Sequence, residues 1–176
     1  MKKITTLVVA FILIFSFTSC NDDSLQSYIV KSQEKSGFIT FDVPASIFQI
    51  KTDAVSAESK ATLNSIKKVN VVALPFKDNV TEIEAEKAQL VKILSGKTYK
   101  SIMRFNQKGM KVSMYYSGKE DAINEVIMFG YAADKGVGIA RILGDGMNPA
   151  KIVKMMGDVK FDGSGVNLEQ FKLLMK

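Results

Sequence analysis

The chain contains no histidine, no tryptophan and one cysteine in 176 residues. Lacking histidine, it has neither the commonest general base near neutral pH nor the commonest metal ligand. A single cysteine excludes an intrachain disulfide, a zinc cluster of cysteines and a CxxC redox pair. Arginine is nearly missing as well: Arg104 and Arg141 are the only two, and the other basic residues are lysines. Recognition of phosphates and base edges favours the bidentate guanidinium fork, so no nucleic-acid partner is expected. Internal repeats, low-complexity tracts and proline-rich linkers are also absent. What remains is 47% hydrophobic and 24% charged, enough apolar material to bury a core at a length that suits one domain.

The first residues carry an address. Lys2 and Lys3 precede an apolar stretch from Ile4 to Phe17, broken only by Thr5, Thr6 and Ser16. That stretch is short for a spanning helix, which needs about 20 apolar residues, and suits a secretory signal. It ends in Phe17-Thr18-Ser19-Cys20, which resembles the lipobox of bacterial lipoproteins. The resemblance implies that a diacylglycerol alkylates the Cys20 thiol and that Cys20 becomes the first mature residue. Cys20 is therefore the expected site of lipid attachment, and two or three acyl chains hold a protein on a membrane where one is marginal. Removing residues 1–19 leaves 22 basic against 18 acidic residues, a net charge of +4. The Asn21-Asp22-Asp23-Ser24 run resembles the short acidic segment behind the cysteine of many Bacteroidetes lipoproteins, some of which reach the cell surface. The expected location is the outer membrane, lipid-anchored, on its periplasmic side or at the cell surface.

Periodicity divides the rest into a tether over 20–26, a domain over 27–157 and a C-terminal turn and helix over 158–176. A helix is predicted around Leu25–Gln33, a strand over 38–43, a short helix from Pro44 to Ile50, and a loop over 51–60. A weak helix over Ala57–Lys67 leads to an apolar strand at Val69–Leu74. Thr81 and Glu84 have the spacing of a capping box, followed by a helix with Ile83, Lys87, Leu90, Val91 and Leu94 on one face and Gly96 as its stop. From Tyr99 to Leu143 the period changes to two, as in Met110, Val112, Met114 and Tyr116. Turn clusters at 106–109, 117–121 and 134–136 divide this region into four strands, which such short loops must join antiparallel. Asn148 and Pro149 supply a cap and first residue for a helix to about Met156, with Gly157 as its stop. The expected fold class is α+β, an antiparallel sheet built around a four-strand meander with helices packed on one face.

This order of elements resembles the Bacteroidetes lipoproteins of domain-of-unknown-function family 4252. The residues that carry the likeness are Phe38–Ala45, Lys67-Lys68-Val69-Asn70-Val71, Asn124–Phe129 and Leu143–Asn148. The likeness spans roughly residues 24–157 and is strongest over 99–157. It implies no activity, so it supplies no catalytic residue.

Several motifs fail on their surroundings. Ser95-Gly96-Lys97-Thr98 ends like a phosphate loop, but it follows a helix and has Val91 where the motif needs glycine. Gly136-Val137-Gly138 meets Arg141 where a dinucleotide fingerprint needs glycine. Ser32/Lys35 and Ser65/Lys68 make Ser-x-x-Lys pairs, without the companion motifs of the penicillin-binding proteins. Gly144-Asp145-Gly146 before Asn148 reads as a glycine turn into a capped helix. Asp158–Glu169 matches an EF-hand loop at positions 1, 5, 6 and 12, but Lys160 puts an ammonium where calcium needs oxygen. Glu120, Asp121, Glu125 and Asp134 cluster around the expected hairpins, where acids serve solubility. The nine methionines fit adaptable core filling better than a soft-metal site.

No cofactor, metal site or catalytic residue is assigned. The expected function is a lipid-anchored cell-envelope protein, a non-catalytic binding or interaction module of the outer membrane. Its partners would be the membrane, through the N-terminal lipid, and an envelope or surface protein meeting a sheet face or the Lys-rich helices. The missing tryptophan weakens a glycan-binding version. The alternatives are a carboxylate-dependent hydrolase or lyase, using an acid such as Glu125 or Asp145, or a purely structural envelope component.

Overall fold

The computed structural model describes residues 24–45, 56–76, 80–107, 109–120 and 122–158. Cys20, the signal segment, most of the predicted 44–50 helix and nearly all of the EF-hand-like stretch lie outside them. The elements run α1 (Leu25–Gln33), β1 (Ile39–Pro44), α2 (Ala57–Ser65), β2 (Ile66–Pro75), α3 (Val80–Leu94), β3 (Lys100–Gln107), β4 (Met110–Lys119), β5 (Ala122–Ala132), β6 (Gly136–Met147) and α4 (Pro149–Asp158).

The α+β content is as expected, but the architecture is not. The sheet has six strands in the order β1-β2-β6-β5-β4-β3, every pair antiparallel. It is not built around a four-strand meander, because β6 lies inside the sheet and pairs with β2 along most of its length, from Gly136 opposite Pro75 to Gly144 opposite Ile66. Nor are the helices confined to one face. Leu25, Tyr28 and Ile29 of α1 and Ile83, Leu90, Ile93 and Leu94 of α3 pack with Val72, Leu74, Ile127, Phe129, Val137 and Ile139. On the opposite face, Ile152 and Met155 of α4 join Ile66, Met114, Ile123, Val126 and Ile142, with Leu63 of α2 against them. Neighbouring residues of β5 and β6, such as Val126 and Ile127, point to opposite faces and are both buried. Central strands that are apolar on both sides need a cover on both, and helices supply it.

Local chemistry explains most of the boundaries. Ser24 caps α1 by accepting from the Ser27 N–H at 3.1 Å, and Leu25, Tyr28, Ile29 and Ser32 form the buried stripe. Asn148 accepts from the Lys151 N–H at 3.2 Å with Pro149 as the first residue of α4. That helix continues through Gly157 to Asp158 instead of stopping at the glycine. The weak helix expected to reach Lys67 ends at Ser65, and the chain passes directly into β2. Pro44 closes β1 opposite Lys68 on an edge strand, where a missing N–H is tolerated, and the helix predicted to follow it lies almost wholly outside the described residues.

The expected capping box is not used either, since α3 starts at Val80 and Thr81 falls inside it. Glu84 instead accepts from Lys87 at 2.9 Å and from the Tyr131 hydroxyl. The buried stripe of α3 is Ile83, Glu86, Leu90, Ile93 and Leu94, whereas Val91 is exposed. Gly144 permits the close approach of β6 to the α2–β2 junction, because a Cβ there would overlap the Ser65 carbonyl oxygen.

Candidate functional site

Two surfaces can be built from the strand register. The first is a polar row on the face covered by α1 and α3. Asp42, Asn70 and Arg141 stand opposite one another on β1, β2 and β6. In β5 a register shift between Ile123 and Glu125 turns the Glu125 side chain onto this same face, opposite Ser117. The Arg141 Nε donates to Glu125 Oε1 at 2.5 Å and its Nη1 donates to Gln26 of α1 at 2.6 Å. Ser117 Oγ donates to Glu125 Oε2 at 2.8 Å. With side-chain exposures of 12% and 9%, Arg141 and Glu125 form a buried pair with both carboxylate oxygens satisfied. Burial raises the Tyr99 hydroxyl pKa first and the Glu125 charge adds to it, with Arg141 opposing.

At the β1 end of the row, Asp42 accepts from Lys68 Nζ at 2.8 Å and from the Asn70 amide. Burial raises the Asp42 pKa, but the hydrogen bonds from Lys68 and Asn70 and the charges of Lys68 and Arg141 outweigh it and hold it below its ordinary value. A carboxylate held low in the folded state contributes stability above its unfolded pKa and loses it as pH falls through the folded value. Urea unfolding of the wild type should therefore lose part of its midpoint below about pH 4. The Asp42→Asn variant should lose less over that interval, and equal acid sensitivity in the two proteins would contradict this assignment.

Of the acids singled out from the sequence, only Glu125 belongs to this row. Its expected place on an exposed hairpin is wrong: it lies buried within β5, its carboxylate held by Arg141 and Ser117. Asp145 and Lys67 pair on the surface at side-chain exposures of 73% and 65%. Glu120 is 82% exposed beside Lys100, at 3.7 Å. Asp134 lies in the exposed β5–β6 turn, and Asp121 lies outside the described residues. Among the described residues, no three Asp, Glu, His or Cys side chains are grouped to hold a metal ion. Gly146 adopts a φ of +57°, as the glycine-turn reading requires. Sequence reasoning passed over Glu86, buried on α3 with Lys35 Nζ at 2.5 Å from Oε1 and no hydrogen bond to Oε2. Burial, followed by the charge of Glu86, pushes the Tyr28 hydroxyl far above the ordinary phenol range.

The second surface lies on the other face of the sheet, the one that α2 and α4 partly cover. Paired positions across all six strands there are apolar: Phe41 of β1, Val71 of β2, Ala140 of β6, Met128 of β5, Met114 of β4 and Met103 of β3. The band is buried or half-buried until β3, where Met103 and Phe105 are 39% and 40% exposed. β3 is an outer strand, with β4 as its one neighbour among the described strands. The sequence reading placed these residues within expected strand segments, but the continuity of the band depends on which strands pair. This second surface offers contact area and open backbone, whereas the first is already satisfied internally.

Among the described residues no helix is long and apolar enough to cross a membrane. No curated protein and no solved structure matches the chain. A family model does match, over residues 28–155, from the middle of α1 through Met155 of α4, and so takes in both faces of the sheet. The chain belongs to the family described as a domain of unknown function, DUF4252.

Proposed function

We propose that this protein is a Bacteroidetes-type lipoprotein, anchored to the outer membrane through Cys20 and acting there as a non-catalytic interaction module. The observation that carries the interaction reading is the apolar band that ends in exposed Met103 and Phe105 on an open strand. Apolar side chains next to unpaired strand backbone are the usual raw material of a protein contact. Glu125, a buried acid that the sequence offered as a catalytic candidate, has both oxygens engaged by Arg141 and Ser117, which favours a structural role for it over a hydrolytic one. The lipobox-like Phe17-Thr18-Ser19-Cys20 supports the anchor.

The test places a photo-crosslinking amino acid at position 105, or at exposed Val91 on α3, in full-length protein expressed in its host. Discrete adducts from position 105 and none from 91 are expected. Equal, diffuse labelling from both would overturn the module reading. In the same cells Cys20→Ala should move the protein out of the membrane fraction, and retention there would overturn the lipid anchor. Protease treatment of intact cells then separates surface display from the periplasmic side.

A further inference from the structure

The two edges of the sheet differ. β1 is six residues long and ends in Pro44, which blunts it. β3 is eight residues long, Lys-Ser-Ile-Met-Arg-Phe-Asn-Gln, with no proline and no acid. Ser101 and residues 103–106 are exposed. Every second N–H and C=O of an outer strand faces away from its neighbour, and such a row is a template for another strand.

The side chains along this edge restrict what could pair with it. Met103 and Phe105 stand on the apolar face and Arg104 on the other, in line with Ser113 of β4. Residues 87–119 hold eight lysines and arginines and no aspartate or glutamate. Among the described residues Arg104 has no ion-pair partner, and Lys100 pairs with the largely exposed Glu120 and lies over the Tyr116 ring. A second copy of β3 would bring like charges together across the junction, which opposes self-pairing. An anionic lipid surface would meet the charge but leave the open backbone unused.

We propose that the β3 edge receives an added strand from a partner protein, an extended segment whose apolar residues alternate with aspartate or glutamate. This inference rests on the interaction-module reading and names the chemistry of its partner. The apolar side chains of the incoming strand extend the band beyond Met103 and Phe105. Its acids, on the opposite face by the two-residue period, lie beside Arg104.

The probe is a labelled eight-residue peptide of alternating glutamate and valine, titrated into the full-length chain in neutral detergent. Three controls accompany it: the lysine-valine counterpart, an N-methylated copy that cannot donate on one edge, and vesicles containing anionic lipid. Saturable binding of the glutamate peptide alone is expected, with slowed amide exchange confined to residues 100–107. Arg104→Glu, an exposed substitution checked by its unfolding midpoint, should weaken that binding about tenfold.

Four outcomes would overturn the proposal. One is equal binding of the lysine peptide, and another is binding without new protection in β3. The third is binding of the vesicles in place of the peptide. The fourth is full protection of the β3 amides in the isolated chain, which would mean that the edge is already occupied. Adducts from position 105 in cells, without binding of the glutamate peptide, would leave the module reading standing and remove this one.

Discussion

Replacing Arg141 by methionine should destabilise the fold by about 3–5 kcal/mol, because it leaves the Glu125 carboxylate buried with only Ser117 to donate to it. The cost comes from the orphaned charge more than from the lost attraction. Putting two charges into a low-dielectric interior costs most of what their pairing returns, so the pair is nearly neutral overall while either half alone is expensive. The double variant Arg141→Met/Glu125→Leu should therefore recover most of the loss, so the two single losses should be strongly non-additive, as expected for residues in direct contact. Gln26 and Ser117 would each lose a partner in that variant, so recovery should stop short of the wild type. Equilibrium unfolding in urea reads all of these numbers. A loss below about 1 kcal/mol for Arg141→Met would mean that water reaches Glu125, and would reopen the hydrolase reading of this carboxylate.

That pair also shows where sequence reading ends. The Asn148 cap and the alternation of Met110 through Tyr116 are properties of a few consecutive residues, and the structure contains both. Glu125 looked like a solvated hairpin acid because its neighbours in sequence are turn residues. What buries it is a register shift in β5 together with Arg141, 16 residues away, and Gln26, 115 residues from Arg141. Neither the shift nor those partners leave a local signature. The same limit produced the error in architecture. Two-residue alternation identified β3 through β6 but not the pairing of β6 with β2, a contact between segments some seventy residues apart. For α3, Thr81-Ile83-Glu84 satisfied the capping pattern while Val80 already lay in the helix, and Glu86 replaced Lys87 on the buried stripe because Lys35 reaches it. The candidate binding surface was legible only as separate pieces, because Met103, Met128 and Phe41 fall into one row across the sheet through strand order alone.

Helices on both faces lead to an expectation that a one-sided arrangement does not share. Leu90 of α3 and Ile152 of α4 are both fully buried, in clusters on opposite sides of the sheet. Leu90→Ala should cost about 2–5 kcal/mol, and Ile152→Val about 0.5–1.5 kcal/mol, from lost transfer energy and the cavities left behind. Helix and sheet layers are each about 10 Å deep, so the two sites are separated by the thickness of the sheet and share no packing partner. Their effects should accordingly add to within about 0.3–0.5 kcal/mol in a double-mutant cycle followed by urea unfolding. Leu90 and a residue of its own cluster, such as Ile29, should behave otherwise, since truncating both enlarges one common cavity and couples the two losses. Coupling between Leu90 and Ile152 as strong as that between Leu90 and Ile29 would place α3 and α4 on the same side and overturn the two-faced architecture. With additivity, the sheet acts as a partition between two cores. In that case a partner bound along β3 and the apolar band would meet the core under α2 and α4 and, on the other face, Arg104 at the sheet edge, leaving the Glu125–Arg141 row and the α1–α3 layer unchanged.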